Sequence, residues 1–518
     1  MGLAYLPGAL PCFEAFGNLP TDLVREDGLV AGRPASDVLD MIIIPGGSLV
    51  ESNTLKENLA REIFRMADRG KFVLGICSGF QVLSKGTDIG RLSASPIIRK
   101  GLGLIDAEFT PLICTDQVKA TVIGTSCLTD AVGSEVSGFH CHTYGNVMIQ
   151  KNAKPILVSH TKRLNYQADS KDLVSGISNG DGNVVGVIIH ALLDRNPLII
   201  EGIQKSLDIT DEELLEIRAA NRKLLQHIKT EIGVSTNVYE VKAAKKPETH
   251  RSLLVTALAS GSGKTFIVTG LAGALKKRGL NVGVVKVGGD IRDVVPALYL
   301  TKEPIRDYSS IRVGQSGWMT GNESVKQAEK EYDFLIIEGA MNAFTGLLNE
   351  KVVRPSSTAE VAAALGVPTV VVVACDMEGI EGALVSVLNY VNLLKNLGVK
   401  TEGVILNKVH TSYLTEDIRL FMKQALTNAG VELLGIVPRV DVEGRGAIPE
   451  IEIKYEEFGA KAIEVIENSL NIDRIMEVAA PTRITPLDYN ALTEKFRNTL
   501  LGNITSDVSK GGKAEKCL

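Results

Sequence analysis

Short apolar runs alternate with stretches of helical spacing along most of the chain. In the first part, residues 41–44, 72–74 and 184–189 have the length and composition of buried strands. Residues 53–69 have the apolar spacing of a helix, and the charged stretch 208–232 is also strongly helical. Strands that alternate with helices are typical of parallel sheets covered by helices, so the pattern predicts an α/β protein.

A second series of apolar runs begins after residue 250. Residues 252–255, 282–286 and 332–338 predict strands of a second α/β domain that extends to about residue 480. The basic, proline-containing segment 242–251 is predicted to be a linker. We therefore expect domains at 1–205 and 251–480, joined by a helical segment and linker at 206–250. Residues 481–518 are predicted to form a C-terminal helix and, from 505 to 518, a disordered tail.

Composition narrows the class of protein. The chain has 518 residues, too many for a single core, and its net charge of −5 does not indicate a nucleic-acid-binding surface. Its seven cysteines include no Cys-x-x-Cys pair, which favours reduced thiols in the cytoplasm. No apolar stretch approaches the length of a membrane span, so we expect neither nucleic acid nor membrane as a partner.

Cys77 lies where a predicted strand gives way to a helix, between Gly75 and Gly79. A sharp turn of this kind lifts a nucleophile above the sheet and directs backbone N–H groups at the atom it attacks. The helix N-terminus also favours the reactive thiolate. A buried structural cysteine is the alternative, but the flanking glycines and Gln81 favour a nucleophile.

A phosphate-binding loop is predicted at the start of the second domain. The strand near 253 leads into a Gly/Ser turn and then into Lys264 and Thr265, which open a helix. Backbone N–H groups there would hold phosphate oxygens, Lys264 would reach the outer phosphates, and Thr265 would bind Mg²⁺. The strict pattern requires glycine where this chain has Leu258, so a flexible turn remains the alternative. The predicted ATP-binding residues are Ser260, Gly261, Ser262, Gly263, Lys264 and Thr265.

Charged residues follow two further predicted strands. Glu338 ends one strand, and Lys286, Asp290 and Asp293 follow the other. Ligands of open parallel sheets bind at the carboxyl ends of the strands, so we expect these side chains to converge on the phosphate loop. Thr265, Asp290 and Glu338 are the predicted magnesium ligands.

Residues 75–81 resemble the nucleophile turn of class I glutamine amidotransferases. More broadly, the chain resembles the amidotransferase family of cobyrinic acid a,c-diamide synthase and cobyric acid synthase. In the second domain, residues 257–265 resemble that family's Ala-x-x-Ser-Gly-x-Gly-Lys-Thr loop, which accounts for Leu258. Residues 286–293 resemble Lys-x-Gly-Pro-Asp-Tyr-Ile-Asp, and 338–346 resemble Glu-Gly-Val-Met-Gly-Leu-Phe-Asp-Gly.

The first domain resembles the cobyric acid synthase version. Residues 101–106 resemble Gly-Leu-Gly-Leu-Leu-Asp, 138–142 resemble Gly-Tyr-Glu-Ile-His, and 186–194 resemble Gly-Thr-Tyr-Leu-His-Gly-Leu-Phe-Asp. The resemblance makes His190 the catalytic partner of Cys77, and we assign the oxyanion hole to the backbone N–H groups of Gly47 and Ser78. It implies a class I glutamine amidotransferase domain followed by a dethiobiotin-synthetase-like P-loop domain, with glutamine, ATP and Mg²⁺ as reactants and cofactors.

The chain departs from the family at several points. Its domain order is reversed, and Leu192 stands where the full class I triad has glutamate, so we expect a Cys–His pair without an acid. Substitutions also fall in loops near the presumed acceptor site and make them more positive, which favours a polycarboxylate acceptor such as a tetrapyrrole. The predicted acceptor-binding residues are Lys286, Arg292, Asp293, Asn342 and Thr345.

Other interpretations stay open from sequence. The chain could be a dethiobiotin-synthetase-like ligase with a vestigial amidotransferase domain, or a non-catalytic P-loop sensor; intact Cys77 and His190 argue against a vestigial domain. A homodimer is also left open. The run from His140 to His142 could bind a metal, but its spacing fits no standard site and the resemblance assigns it to an amidotransferase strand.

Overall fold

The computed structural model describes residues 1–6, 14–48, 55–234, 249–349, 354–441 and 453–510. Most of the predicted linker and the last eight residues of the chain lie outside these ranges. The chain divides into two compact units that are interleaved in sequence. The first comprises 1–238, 291–306 and 442–460, and the second comprises 239–290, 307–441 and 461–518.

The elements up to residue 238 all belong to the first unit. The strands are β1 (Gly2–Ala4), β2 (Asp22–Val24), β3 (Leu29–Val30), β4 (Arg33–Pro34), β5 (Met41–Ile44), β6 (Phe72–Ile76), β7 (Gly86–Asp88), β8 (Ile98–Lys100), β9 (Ala107–Thr110), β10 (Gln117–Val122), β11 (Glu135–Phe139), β12 (Asn146–Ile149), β13 (Lys154–Leu164), β14 (Gln167–Ser178) and β15 (Val184–Val187). The helices are α1 (Ala35–Val38), α2 (Glu57–Asp68), α3 (Ser78–Leu83), α4 (Leu192–Arg195), α5 (Pro197–Leu207) and α6 (Asp211–Glu231), with a 3₁₀ turn at Phe16–Asn18.

The main sheet of the first unit joins a parallel half to an antiparallel half. Its strand order is β11-β10-β13-β14-β15-β6-β5-β1-β2. The strands from β15 to β2 run parallel, and those from β11 to β15 run antiparallel. β5, β6 and β15 are apolar throughout because they lie in the middle of the sheet, and their carboxyl ends lead to the residues predicted to be catalytic.

The later part of the chain contributes the remaining elements. The strands are β16 (Arg251–Ala257), β17 (Val282–Val287), β18 (Ser310–Ile311), β19 (Phe334–Glu338), β20 (Thr369–Ala374), β21 (Thr401–Val409) and β22 (Glu432–Pro438). The helices are α7 (Lys264–Lys277), α8 (Val295–Thr301), α9 (Gly321–Glu331), α10 (Thr358–Leu365), α11 (Gly379–Asn396), α12 (Glu416–Asn428), α13 (Tyr455–Ser469), α14 (Ile472–Val478) and α15 (Tyr489–Lys510), with 3₁₀ turns at Ile291–Val294, Asp307–Ser309 and Thr411–Tyr413.

The second unit is built on one parallel sheet with the strand order β18-β17-β19-β16-β20-β21-β22. Each neighbouring pair of strands runs parallel. β16 lies between β19 and β20, so the loop that follows it opens at the centre of the carboxyl edge, where parallel sheets bind ligands. Buried valine, isoleucine and leucine side chains from these strands form the core with α10 and α11.

The division of the chain differs from the predicted boundaries in three places. The segment 291–306, predicted to belong to the second domain, lies in the first unit together with part of 442–460. Helix α6, predicted to be an interdomain segment, also packs in the first unit, where Asn221 donates to the carbonyl of Pro20 at 2.7 Å. The tail predicted to be disordered from residue 505 continues α15 to Lys510.

The predicted α/β class is confirmed in both units. Within the part of the chain that the structure describes, no helix is long and apolar enough to cross a membrane. All five cysteines in that part have free thiols, which matches the prediction of reduced cysteines; Cys12 and Cys517 lie outside it.

Candidate active sites

Cys77 occupies a strained turn between β6 and α3. Its backbone φ is 49°, a left-handed value that a non-glycine residue seldom adopts without a functional reason. A side chain at Gly79 would overlap the carbonyl oxygen of Ile44, so only glycine lets α3 begin this close to β5. The thiol is 6% exposed and contacts the carbonyl of Cys141 at 3.9 Å. The predicted nucleophile turn is therefore present.

His190 follows β15 and lies beside Cys77. Its backbone exchanges hydrogen bonds with Phe139 at 2.8 and 3.1 Å, and the two rings stack with centroids 5.2 Å apart. A Cβ built on Gly46 would come within 2.7 Å of His190 Cε1 and 3.1 Å of Cys77 Cβ, so both side chains line the turn after β5. Burial opposes protonation of His190, but the charge and hydrogen bond of Cys77, together with Glu14, raise its pKa to about 10.

Glu14 is a buried acid beside His190 that the sequence did not reveal. His190 Nδ1 contacts Glu14 Oε1 at 2.8 Å, and both side chains are 2% exposed. Burial raises the pKa of Glu14, and the hydrogen bond from His190 acts against that rise. The expectation of a Cys–His pair without an acid is therefore wrong. The acid comes from a loop 176 residues earlier in the chain instead of from the position of Leu192, two residues after His190.

Asp194 holds the loop that carries Glu14. Its carboxylate accepts hydrogen bonds from the backbone N–H groups of Ala15 at 2.8 Å and Gly17 at 2.7 Å. This loop is conformationally strained, because Phe16 and Asn18 have positive φ values of 54° and 59°. Two charge-assisted hydrogen bonds offset part of that strain and fix the direction of the Glu14 side chain.

The residues predicted to form the oxyanion hole lie at the same place. Gly47 follows β5 and adjoins Gly46, and Ser78 is the first residue of α3, directly after Cys77. Gln81, four residues after Cys77, donates to the carbonyl of Tyr144 at 2.9 Å and ties α3 to the loop after residue 140. The structure thus brings the predicted glutaminase residues together within the first unit.

The predicted phosphate loop of the second unit joins β16 to α7. Gly261 and Gly263 have φ values of 79° and 86°, which open the loop and leave its backbone N–H groups facing the start of α7. Ser262 caps the turn by donating to the carbonyl of Ala259 at 2.9 Å. The amide of Asn407, at the end of β21, donates to the carbonyl of Ser262 at 2.8 Å and holds the loop against the sheet.

The donor set beside this loop fits Mg²⁺. Thr265 donates to Glu338 Oε1 at 3.0 Å, which is the spacing of adjacent ligands in an octahedron with bonds of about 2.1 Å. Lys286 lies 3.3 Å from the same carboxylate oxygen and 3.1 Å from the carbonyl of Gly339, and is 2% exposed. Asp290 lies on the loop after β17, the strand paired with β19. Lys264 reaches the carbonyl of Met341 at 2.8 Å.

The predicted acceptor residues are divided between the two units. Asn342 donates to the carbonyl of Leu258 in the second unit, and Thr345 is exposed three residues further on. Arg292 and Asp293, in contrast, belong to the first unit.

There, Arg292 is 4% exposed, and its guanidinium donates to the hydroxyls of Thr143 at 2.6 Å and Tyr166 at 2.5 Å. The Arg292 guanidinium, which we predicted to attract an acceptor, thus binds two hydroxyl groups within the first unit.

Comparison with known proteins assigns a family to each part of the chain. Residues 11–198 match the model of the CobB/CobQ-like glutamine amidotransferase domain, and residues 253–445 match the CobQ/CobB/MinD/ParA nucleotide binding domain. The chain is 34% identical over 190 residues to hydrogenobyrinate a,c-diamide synthase of Mycobacterium tuberculosis (36% of this chain, 39% of the relative). It is 31% identical over 184 residues to cobyric acid synthase of Clostridium botulinum (34% of each).

The matches therefore span 34–39% of the length of these relatives. Among solved structures, PurLQS from Thermotoga maritima gives a TM-score of 0.30 at 22% identity, covering 40% of this chain and 97% of that one. A TM-score this low supports no conclusion about the fold or function of this chain. The family models show two domains in this chain: a CobB/CobQ-like glutamine amidotransferase domain, followed by a CobQ/CobB/MinD/ParA nucleotide-binding domain.

Proposed function

We propose that this protein is an ATP-dependent, glutamine-hydrolysing amide synthase that converts carboxylates of a polycarboxylate acceptor into carboxamides. One observation carries the proposal: a buried Cys77–His190–Glu14 triad and a separate phosphate loop occur in the same chain. A vestigial amidotransferase domain would have no reason to keep a strained nucleophile turn and a buried ion pair, both of which cost stability. The sensor and ligase alternatives lack this support.

In the first unit, Cys77 would attack the carboxamide carbon of glutamine. His190, held as an imidazolium by Cys77 and Glu14, would give its proton to the departing ammonia. The N–H groups of Gly47 and Ser78 would stabilise the oxyanion, and each such donor is typically worth about 10²–10³ in rate. Water, deprotonated by His190, would then hydrolyse the thioester to glutamate and restore the thiol.

In the second unit, the acceptor carboxylate would attack the terminal phosphate of ATP and give an acyl phosphate and ADP. Lys264 and the loop N–H groups would hold the phosphates, while Thr265 and Glu338, with Asp290, would hold Mg²⁺. Bound there, Mg²⁺ supplies charge neutralisation. Ammonia would then displace phosphate from the acyl carbon and leave the amide.

For the acceptor we propose a tetrapyrrole polycarboxylate. The relatives are named for hydrogenobyrinate and cobyric acid, which supports this class. The charge argument from sequence is weaker than expected, because the Arg292 guanidinium is occupied by Thr143 and Tyr166. Asn342 and Thr345 remain the candidates for acceptor contact in the second unit.

The test supplies the full chain with glutamine, Mg-ATP and a panel of tetrapyrrole and other polycarboxylates, and detects acid-to-amide conversion by mass spectrometry. Cys77→Ala should abolish conversion with glutamine but retain it with ammonium, because only ammonia production is lost. Lys264→Ala should abolish conversion with either nitrogen source and leave glutamine hydrolysis largely intact.

The control is Cys127→Ala, which removes another buried thiol of the first unit that lies outside the triad. It should behave as wild type. Glutamine hydrolysis that survives Cys77→Ala would remove the nucleophile assignment. Amide formation without ATP would remove the role of the second unit, and failure of every acceptor with both half-reactions intact would reject only the acceptor class.

A further inference from the structure

Three metal-ligating side chains lie together in the first unit, apart from the triad. Cys114, His140 and His142 are all buried, and one donor atom from each lies within 4.8 Å of the others. The backbone explains the grouping. Cys114 and His142 face each other across an antiparallel bridge and exchange two hydrogen bonds of 3.1 Å. His140 precedes His142 by two residues in extended chain, so its side chain points to the same face.

Both imidazoles are already oriented as metal ligands usually are. His142 donates through Nδ1 to the carbonyl of Leu112 at 3.1 Å, which leaves its Nε2 directed at His140 Nδ1, 2.9 Å away. The other ring nitrogen of His140 contacts the hydroxyl of Ser159 at 3.0 Å. Metal-bound histidines nearly always use the second nitrogen in this way, with a carbonyl or hydroxyl fixing the ring.

The His142 ring has little freedom to turn away. A side chain at Gly145 would overlap its Cε1 and Nδ1 atoms, so the ring lies directly against the backbone of the loop. Such immobilisation lowers the entropy cost of binding a ligand at the opposite nitrogen.

The chemistry of the three groups selects the ion. The hydrogen bonds to Leu112 and Ser159 occupy one nitrogen of each ring, and the other two nitrogens face each other. The Cys114 sulfur lies within 4.8 Å of the ring donors, and a bound cation would deprotonate it to the thiolate. Two imidazoles and one thiolate suit zinc and other borderline transition metals, and do not suit Mg²⁺ or Ca²⁺.

We infer that Cys114, His140 and His142 bind one divalent transition-metal ion, with zinc as the best match, and that a water molecule completes the coordination. Tetrahedral zinc holds nitrogen and sulfur donors about 3.3–3.6 Å apart. The two ring nitrogens, 2.9 Å apart, would therefore separate slightly, and the Cys114 sulfur lies within 4.8 Å of the other donors. The ion replaces the hydrogen bond between the rings. The proton on His140 Nδ1 moves to Nε2 and is donated to Ser159, and Cys114 releases its own proton, so one proton leaves per ion.

The site would act on the glutaminase through the chain between its ligands. Cys141 lies between the two histidines, and its carbonyl is 3.9 Å from the sulfur of Cys77. A metal that clamps both neighbours of Cys141 therefore fixes the backbone on which the nucleophile rests. The role assigned to the ion is structural, and catalysis by the triad does not pass through it.

The test uses tag-free full-length protein stripped with a chelator and titrated with Co²⁺ and Zn²⁺. Wild type should bind one Co²⁺ with a thiolate-to-cobalt charge-transfer band, lose the band to Zn²⁺, release one proton per ion and gain thermal stability. Cys114→Ser, which keeps size and shape, should lose the band, and His142→Gln should lose tight binding. Ser159→Ala should weaken affinity by about 10–100-fold, as changes to such outer partners do.

Cys127→Ser and His160→Ala serve as matched controls, since they remove a buried thiol and a strand histidine of the same unit outside the cluster, and should leave binding unchanged. Absence of the band in wild type, or its persistence in Cys114→Ser, would overturn the inference. The cluster would then be a closed hydrogen-bond chain from Ser159 to Leu112. The wild-type titration alone can refute the proposal, so the test stays valid even where a variant does not fold.

Discussion

At the scale of single residues, Glu14 adds to the effect that Cys77 has on the charge of His190. A buried imidazole beside a buried thiol would ordinarily stay neutral, because burial disfavours charge. The charge and hydrogen bond of Cys77 oppose that preference most, and the Glu14 carboxylate, 2.8 Å from His190 Nδ1, adds to them. The carboxylate also fixes the tautomer, which leaves Nε2 for the nucleophile and the leaving group. Glu14 is thus a positioning and charge-stabilising residue that acts through His190.

Glu14→Gln should shift the pH profile of glutamine hydrolysis. The carboxylate favours the protonated imidazole, so its removal lowers the pKa of His190 from about 10. The basic limb of kcat/KM, where His190 loses its proton, should move to lower pH, and kcat should fall by about 10². Steady-state rates between pH 6 and 11 measure both effects.

A suitable control for Glu14 is Glu62→Gln, which removes another buried carboxylate of the same unit, one bound to Ser36 and Arg65. It should leave the pH profile unchanged wherever the protein stays folded. A basic limb that stays in place in Glu14→Gln would mean that the carboxylate does not govern the charge of His190.

The sequence carried little signal for Glu14. It is a single acid near two phenylalanines, in a loop without a motif, and its partner is 176 residues away. An isolated carboxylate among apolar residues is the only sequence feature that could have marked Glu14 as a candidate. Cys114 was not predicted to be a candidate ligand for the same reason. The backbone pairing that places it opposite His142 is part of the tertiary structure and has no local sequence pattern.

At the scale of elements, the strand–turn–helix units were predictable because their constraints are local. The unit of β6, the Cys77 turn and α3 requires an apolar strand, a tight turn and small neighbouring residues. Consecutive residues of the sequence meet all three requirements. The phosphate loop between β16 and α7 is predictable for the same reason. Here Leu258 stands at the usual glycine position and packs against the core of the second unit without disturbing the loop.

Gly79→Ala should test the packing of this turn. The new methyl group would overlap the carbonyl of Ile44, so α3 must move away from β5, at a cost of about 1–3 kcal/mol in the free energy of unfolding. Glutamine hydrolysis should fall at the same time, because Cys77 and Ser78 move with the helix. Thermal unfolding and glutaminase assays measure the two effects.

Gly180→Ala is the control for Gly79. Its added methyl group would meet only ordinary contact, 3.6 Å from the carbonyl of Asn152, so both quantities should stay near wild type. A Gly79→Ala protein with wild-type stability and activity would contradict the explanation given for the glycine after Cys77.

At the scale of the whole molecule, the two units are interleaved in a way that sequence patterns did not predict. Residues 286–293 form one continuous motif, yet the division between the units falls after Asp290. Within the segment 291–306, helix α8 is buried throughout. The segment joins the first unit through a hydrogen bond of 2.9 Å from Val234 to the carbonyl of Leu300 and one of 3.1 Å from Tyr299 to Glu456. Contacts between segments that are distant in sequence decide which unit a segment belongs to. The pattern of apolar and polar residues along the chain does not show those contacts.

Arg292 gives the sharpest test of this arrangement. By sequence it belongs with the nucleotide and acceptor loops, but its guanidinium donates to Thr143 and Tyr166 and lies over the Tyr166 ring at 5.7 Å. Thr143 follows His142, close to the backbone that contacts Cys77. Removal of the guanidinium leaves a buried hydroxyl without its donor, which typically costs about 1–3 kcal/mol.

Arg292→Gln should therefore impair glutamine hydrolysis measured without ATP or acceptor, by about tenfold if about 1.4 kcal/mol of that cost falls on the site. ATP binding by the Lys264 loop should be unchanged, because that loop belongs to the second unit and the hydroxyl partners of Arg292, Thr143 and Tyr166, belong to the first. The control is Arg306→Gln, which changes an exposed arginine of the same segment and should leave both activities intact.

Unchanged glutamine hydrolysis with a raised KM for the acceptor would instead indicate that Arg292 belongs to the acceptor site, as its position in the family motif suggests. The measurement thus decides whether the sequence neighbours of Arg292 or its spatial neighbours define its role.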